Sequence, residues 1–222
     1  VIYEQFMKFS TQIENSEDLW TITKGIVWVV NKHWKETDKG IWEFRTEEKH
    51  FTFSKVLCWV AVDRALRVAK MLNKTRKIEK WSVLEQEIKN DIHNNAWNEE
   101  VQAFTQFYGS KDLDASVLLM EPYGFINAND PRYVGTVKAI EKELSNDGLL
   151  YRYKNQDDFG LPSSSFTICT FWFINALNKI GEHEKAVKLF EQLLSYSNHL
   201  GLFSEDIDFE TKRLLGNFPQ AY

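Results

Sequence analysis

The sequence predicts an all-α fold of helical hairpins, on three observations. Apolar residues recur at helical spacing over most of the chain, the breaks between these segments are alternately tight and long, and strand-like alternation is confined to short runs. Segment 17–34 places Leu19, Ile22, Ile26, Val29, Val30 and Trp34 on one stripe, with Ser16 as its cap. Segment 54–72, opened by Ser54, carries a broad face of Val56, Trp59, Val60, Val62, Leu66, Val68 and Met71. A third helix runs from Arg76 to Ala96 with Ile78, Trp81, Leu84, Ile88 and Ile92 on one side. Asp130 caps a fourth, because its carboxylate accepts free helix N–H groups and Pro131 suits the first turn. It carries Val134, Val137, Ile140 and Leu144. Segments 165–180 and 183–197 form a last hairpin about Gly181-Glu182, with Ser163–Ser165 read as its capped entry. The loops 35–53, 97–112, 121–129, 148–163 and 199–219 are longer than a plain bundle needs, and two of them hold ribbon-like runs, AFTQFYG and LLYRY. Hairpins with such loops imply a layered helical toroid whose loops gather at one end to make a site.

Composition limits the function classes. The 222 residues are 43% hydrophobic and 27% charged with a net charge of −5, which excludes disorder and collagen-like repeats. No Lys/Arg cluster offers the phosphate-neutralising surface that nucleic acid requires, and no apolar run is long enough for a membrane span. Cys58 and Cys169 sit in apolar stretches and read as reduced core residues. No linker divides the chain, so residues 1–222 are read as a single helical domain. VIYEQFMKF reads as helix interior, and GNFPQA runs directly into Tyr222. We therefore expect a segment of a longer polypeptide, in which part of the domain lies N-terminal to this chain.

The five histidines form no HExxH or Cys/His grouping, and His183 reads as a solvated helix-start residue; no metal site and no cofactor are expected. Phosphate-binding glycine loops and the GxSxG nucleophile elbow are absent. Two carboxylate-bearing loops remain. Glu43 lies between Trp42 and Phe44, where lost hydration is expected to raise its pKa towards that of a general acid. Glu205, Asp206 and Asp208 follow the apolar GLF, so some are expected to face a cleft. A dry carboxylate and a second in polar company would divide the acid and base work of glycoside hydrolysis. A binding scaffold remains open beside this, since GEHEKAVKLFEQLL resembles half of a tetratricopeptide hairpin.

GIWEFR and HFTFSKVLCWVAVDRALRVA, then AFTQFYGSKDLDASVLL, NDPRYVGTVKAIEKEL with DGLLYRY, and NHLGLFSEDIDFETKRLLGNFPQAY resemble, in order, glycoside hydrolase family 15. The resemblance implies an (α/α)6 toroid, of which this segment supplies most. It implies inverting hydrolysis of terminal α-glucosidic bonds in an α-glucan or maltooligosaccharide, or alternatively of α,α-trehalose. Glu43 takes the general-acid position and Glu205 the general-base position; Trp42, Arg152 and Phe166 take substrate-binding positions. Asp114 lies in a matching block and is expected to be structural support. The partner is then an oligosaccharide or disaccharide, with bacterial cytoplasm as the expected compartment. Two departures stand out: Leu161–Ser165 replaces a common Glu-Gly pair, and Phe44 replaces a second glutamate after the acid. The segment holding the terminal sugar belongs upstream of Val1, so activity of this segment alone is not implied.

Overall fold

The computed structural model describes Tyr3, residues 16–156 and residues 160–220. Apart from Tyr3, the helix expected at 1–9 lies outside the described residues. Helix α1, Ser16–His33, opens on Glu17 and Asp18 and closes on Lys32 and His33, charges that complement its dipole. It buries Trp20, Thr23 and Val27 and leaves Ile22, Ile26, Trp28 and Val29 exposed. This departs from the single stripe expected: the helix is apolar on two sides, and Trp20 joins the core by packing on Trp81, 5.5 Å between ring centroids.

Helices α2 (Thr52–Met71) and α3 (Thr75–Asn95) form a hairpin about Leu72–Lys74. α2 buries Val56, Trp59, Val62, Leu66, Val68 and Ala69, while α3 buries Trp81, Leu84, Ile88 and Ile92 at the predicted spacing. Ser54 does not cap α2, which starts two residues earlier behind Phe51 with no side-chain cap. Strands β1 (Trp97–Asn98) and β2 (Ala103–Phe104) pair antiparallel, so β2 takes the first two residues of AFTQFYG. A 3-10 helix, Ala115–Met120, follows Asp114. Helix α4, Pro131–Leu144, is capped as predicted: Asp130 accepts the Arg132 N–H at 2.9 Å. Strands β3 (Ser145–Asn146) and β4 (Leu149–Leu150) form the second ribbon.

The last hairpin is α5 (Thr167–Lys179) and α6 (His183–Leu194). Before it, Ser164–Phe166 is strand β5, not a helix entry; it pairs antiparallel with β6 (Asp206–Asp208), which pairs with β7 (Leu214–Leu215). The α5–α6 pair is much shorter than α2–α3, so no fixed tetratricopeptide period runs through the helices. α6 buries Ala186 and Leu193 but exposes Val187, Phe190 and Leu194. Cys169 is buried and Cys58 half-buried; both are free, and burial pushes both thiols up. The described residues are thus mostly helical, with three small antiparallel sheets at the loops.

Candidate active site

The Trp42–Glu43 loop is tied to the first turn of α2. The buried Lys55 ammonium donates to the backbone oxygens of Trp34, at 2.6 Å, and of Glu36. Ser54 Oγ donates to Asp38 Oδ1 at 2.6 Å, and the same oxygen accepts the Gly40 N–H at 2.6 Å. Burial pushes the Lys55 pKa down despite nearby Asp38. Ser54 and Lys55, whose neighbours in sequence suggested only helix, therefore position the loop that follows α1. The loop then turns through Glu43 at φ 54°, an uncommon conformation for a non-glycine residue, with Glu43 N–H on Gly40 O at 3.2 Å.

Trp42 stands at the centre of an aromatic group. Its centroid is 5.5 Å from Phe166, edge-on, and 6.3 Å from both Tyr153 and Trp172. Its indole N–H donates to Asp114 Oδ2 at 2.8 Å. Asp114 is buried and also accepts from Gln106 Nε2 at 2.9 Å and from Ser116 N–H at 2.8 Å. Burial raises the Asp114 pKa while these donors oppose the shift. Asp114 is therefore structural support: it fixes the indole orientation, and Gln106, which the sequence did not single out, shares the task.

Glu43 itself is exposed. The expected drying by its neighbours does not occur, because both rings are engaged elsewhere. Trp42 joins the group above, and Phe44 stacks on Phe51 at 5.2 Å and meets Tyr153 at 5.1 Å. Adjacency in sequence put the carboxylate beside two apolar residues, but the turn separates it from their packing.

Arg152 and Phe166 lie side by side. The guanidinium carbon lies 5.8 Å from the Phe166 centroid and 5.1 Å from that of Tyr153. The Arg152 carbonyl accepts the Ala115 N–H at 2.9 Å, which joins this segment to the Asp114 turn. Arg152, Phe166, Ser164, Asp206 and the loop Gly160–Ser163 line a hollow of about 180 Å³. That is below the roughly 300–1,000 Å³ of a drug-sized ligand site and suits one compact polar group. A larger hollow of about 690 Å³ over α4 contains none of the predicted site residues.

Glu205 does not line the small hollow. Its backbone joins the sheet to α5, through Glu205 N–H to Asn217 O and Thr167 N–H to Glu205 O, each 2.9 Å. Its Oε2 accepts from Asn217 N–H at 3.2 Å and from Asn217 Nδ2 at 3.0 Å. The acid that faces the hollow is Asp206, which accepts from Ser164 Oγ at 2.8 Å. Burial raises its pKa, opposed by Ser164 and Arg152 and reinforced by Glu205. Asp208 instead caps the β6–β7 turn, accepting from the Glu210 and Thr211 amides and the Thr211 hydroxyl. Hydrogen bonds from Thr211 hold its pKa down. One member of the acid-rich run thus meets a cleft, as expected of the cluster, and the cross-strand pair Phe166–Asp206 brings it there.

His183 is exposed and bonded to Asn178, as expected of a helix-start histidine. Among the described residues no group of His, Cys, Asp and Glu could hold a metal ion, and no helix is long and apolar enough to cross a membrane.

Comparison with known proteins gives this arrangement its context. Residues 3–222 match glycosyl hydrolases family 15. The chain is 42% identical over 204 residues to a trehalase of Thermoplasma acidophilum, covering 91% of this chain and 35% of the relative. It is 44% identical over 209 residues to a trehalase of Mycobacterium tuberculosis, covering 93% of this chain and 31% of the relative. The chain therefore spans about a third of the length of these curated relatives. A bacterial glucoamylase solved with acarbose superposes with a TM-score of 0.72 at 14% identity, over 89% of this chain and 35% of that one. A glucoamylase from Saccharomycopsis fibuligera gives 0.70 at 13% identity, over 90% and 58%. Sequence match over nearly the whole chain and shared fold agree: this chain belongs to glycosyl hydrolases family 15.

Proposed function

We propose that the complete protein hydrolyses α,α-trehalose with inversion, and that these helices are part of an (α/α)6 toroid. The observation that carries the reading is the polar hollow of Arg152, Ser164 and Asp206 walled by Phe166, with Trp42 packed edge-on to Phe166 and Glu205 immediately before the strand that bears Asp206. What supports trehalose over the α-glucan first expected is that curated relatives 34–44% identical to this chain are trehalases. The toroid is supported by the alternation of tight turns with long loops and by the apolar faces left exposed on α1 and α6.

In this mechanism Glu43, protonated, donates to the glycosidic oxygen as the bond to the anomeric carbon breaks. Glu205, ionised, takes a proton from water as the water oxygen bonds to that carbon from the opposite face. An inverting pair leaves roughly 6.5–9.5 Å between the two carboxyl groups for that water. Arg152 and Trp42 hold the sugar while its ring flattens. One trehalose and one water give one β-glucose and one α-glucose.

The test is glucose release from trehalose, maltose and maltooligosaccharides by the complete protein, with the first-formed anomer read by NMR. Cleavage of trehalose with β-glucose among the first products supports the reading. Cleavage of maltose alone returns the assignment to α-glucans, and cleavage of neither refutes hydrolysis. Glu43→Gln should lower turnover of trehalose at least a thousandfold with KM nearly unchanged; near-normal turnover would remove Glu43 from the acid role.

A further inference from the structure

We propose that Asp206, beside the expected base Glu205, is a specificity-determining residue that accepts a hydrogen bond from a hydroxyl of the bound glucose unit. This rests on the hydrolase reading above. Three structural features support it. First, the β5–β6 register pairs Phe166 with Asp206 and Ser164 with Asp208. Side chains alternate along a strand, so Ser164, Phe166 and Asp206 share one face while the buried Ser165 and Ile207 share the other. Second, those three residues and Arg152 line the same hollow. Third, Ser164 Oγ occupies Asp206 Oδ2 at 2.8 Å, and Oδ1 has no protein hydrogen-bond donor among the described residues.

The chemistry of this set fits a neutral sugar. An ionised carboxylate only accepts and a guanidinium only donates, whereas each sugar hydroxyl does both. A hydroxyl in the hollow can therefore donate to Asp206 Oδ1 and still accept from a neighbour, and Phe166 offers an apolar face to the ring carbons. Ser164 holds the carboxylate in one rotamer, so the acceptor direction is set before the sugar arrives.

The experiment compares wild type, Asp206→Asn and Ser164→Ala in the complete protein, by trehalose kinetics and by calorimetric binding of glucose. Asp206→Asn should raise KM and weaken glucose binding about tenfold or more, with kcat within threefold, because a charge-assisted hydrogen bond is lost in ground and transition states alike. Ser164→Ala should move both in the same direction by about two- to fivefold. A KM and glucose affinity within twofold of wild type in Asp206→Asn overturn the proposal. So does a kcat collapse at unchanged KM, which would make Asp206 a participant in the chemistry. If Asp206→Asn fails to fold, unchanged KM in Ser164→Ala overturns the proposal by itself. A wild type that cleaves no α-glucoside and binds no glucose defeats the hydrolase reading and the Asp206 role with it.

Discussion

Gly216 lies against Glu205, and replacing it with alanine tests whether that carboxylate must stay where it is. A Cβ at position 216 would fall 2.9 Å from Glu205 Oε2 and 3.1 Å from Glu205 Cβ. The carboxylate end can swing, but Glu205 Cβ is fixed to backbone that is bonded to both Asn217 and Thr167. The contact therefore displaces Oε2 from the two Asn217 donors at 3.0 and 3.2 Å. Gly216 also has φ 72°, where an L side chain costs about 1–2 kcal/mol. Gly201 separates the two effects: its φ is 75°, and nothing lies within 4 Å of a Cβ built there. Gly201→Ala should lower the urea-unfolding free energy by about 1–2 kcal/mol and leave trehalose turnover close to wild type. Gly216→Ala should cost at least as much stability and in addition lower kcat about a hundredfold, the usual effect of misplacing a reacting group by about 1 Å. Equal turnover in the two variants would refute the argument that Gly216 positions Glu205 for catalysis.

Three further outcomes are expected. Asp114→Asn must turn an amide N–H towards at least one of the Trp42, Gln106 and Ser116 donors, so it should destabilise by about 1–3 kcal/mol in urea unfolding and reduce turnover through a loosened Trp42. Lys55→Met removes the donor to Trp34 and Glu36 but also the cost of burying an ammonium. Global stability should therefore change by less than about 1 kcal/mol, while hydrogen exchange at the Gly40 and Phe44 amides accelerates more than tenfold. His93 packs on Phe104 and Phe125, and burial, followed by Arg132 and Lys89, pushes its pKa down to about 4. The unfolded chain then binds the proton more readily, so this contribution to stability is present above pH 6.5 and is lost as pH falls towards about 4. His93→Gln should flatten that part of the urea-midpoint profile between pH 7.0 and 4.5.

The helices were legible because each has an apolar repeat long enough to register. Among the described residues the helices begin within about three residues of expectation, and the Asp130-Pro131 start needed no tertiary information. The buried side of α1 was not legible, since Ile22 and Trp20 are both apolar and only packing against Trp81 selects between them. Strands β5, β6 and β7 are two or three residues long, too short for any local period, and β5 pairs with β6 across some 40 positions. Ser164 and Ser165 therefore looked like caps. In the site, Trp42, Arg152 and Phe166 were reached through family resemblance, and the structure brings them together. The environment of Glu43 was misjudged because sequence neighbours are not packing neighbours. Lys55 carried a signal that went unused: a lysine inside a buried helical face must find its own acceptors.

The short sheet also imposes a rule of parity. Asp206 pairs with Phe166, so sliding its strand by a single residue against Ser164–Phe166 would bring Glu205 or Ile207 there instead. Asp208 guards against that slip, because its grip on Glu210 and Thr211 fixes the length of the following bend. Substitutions in the bend at 209–213 should therefore be tolerated better than an odd insertion there.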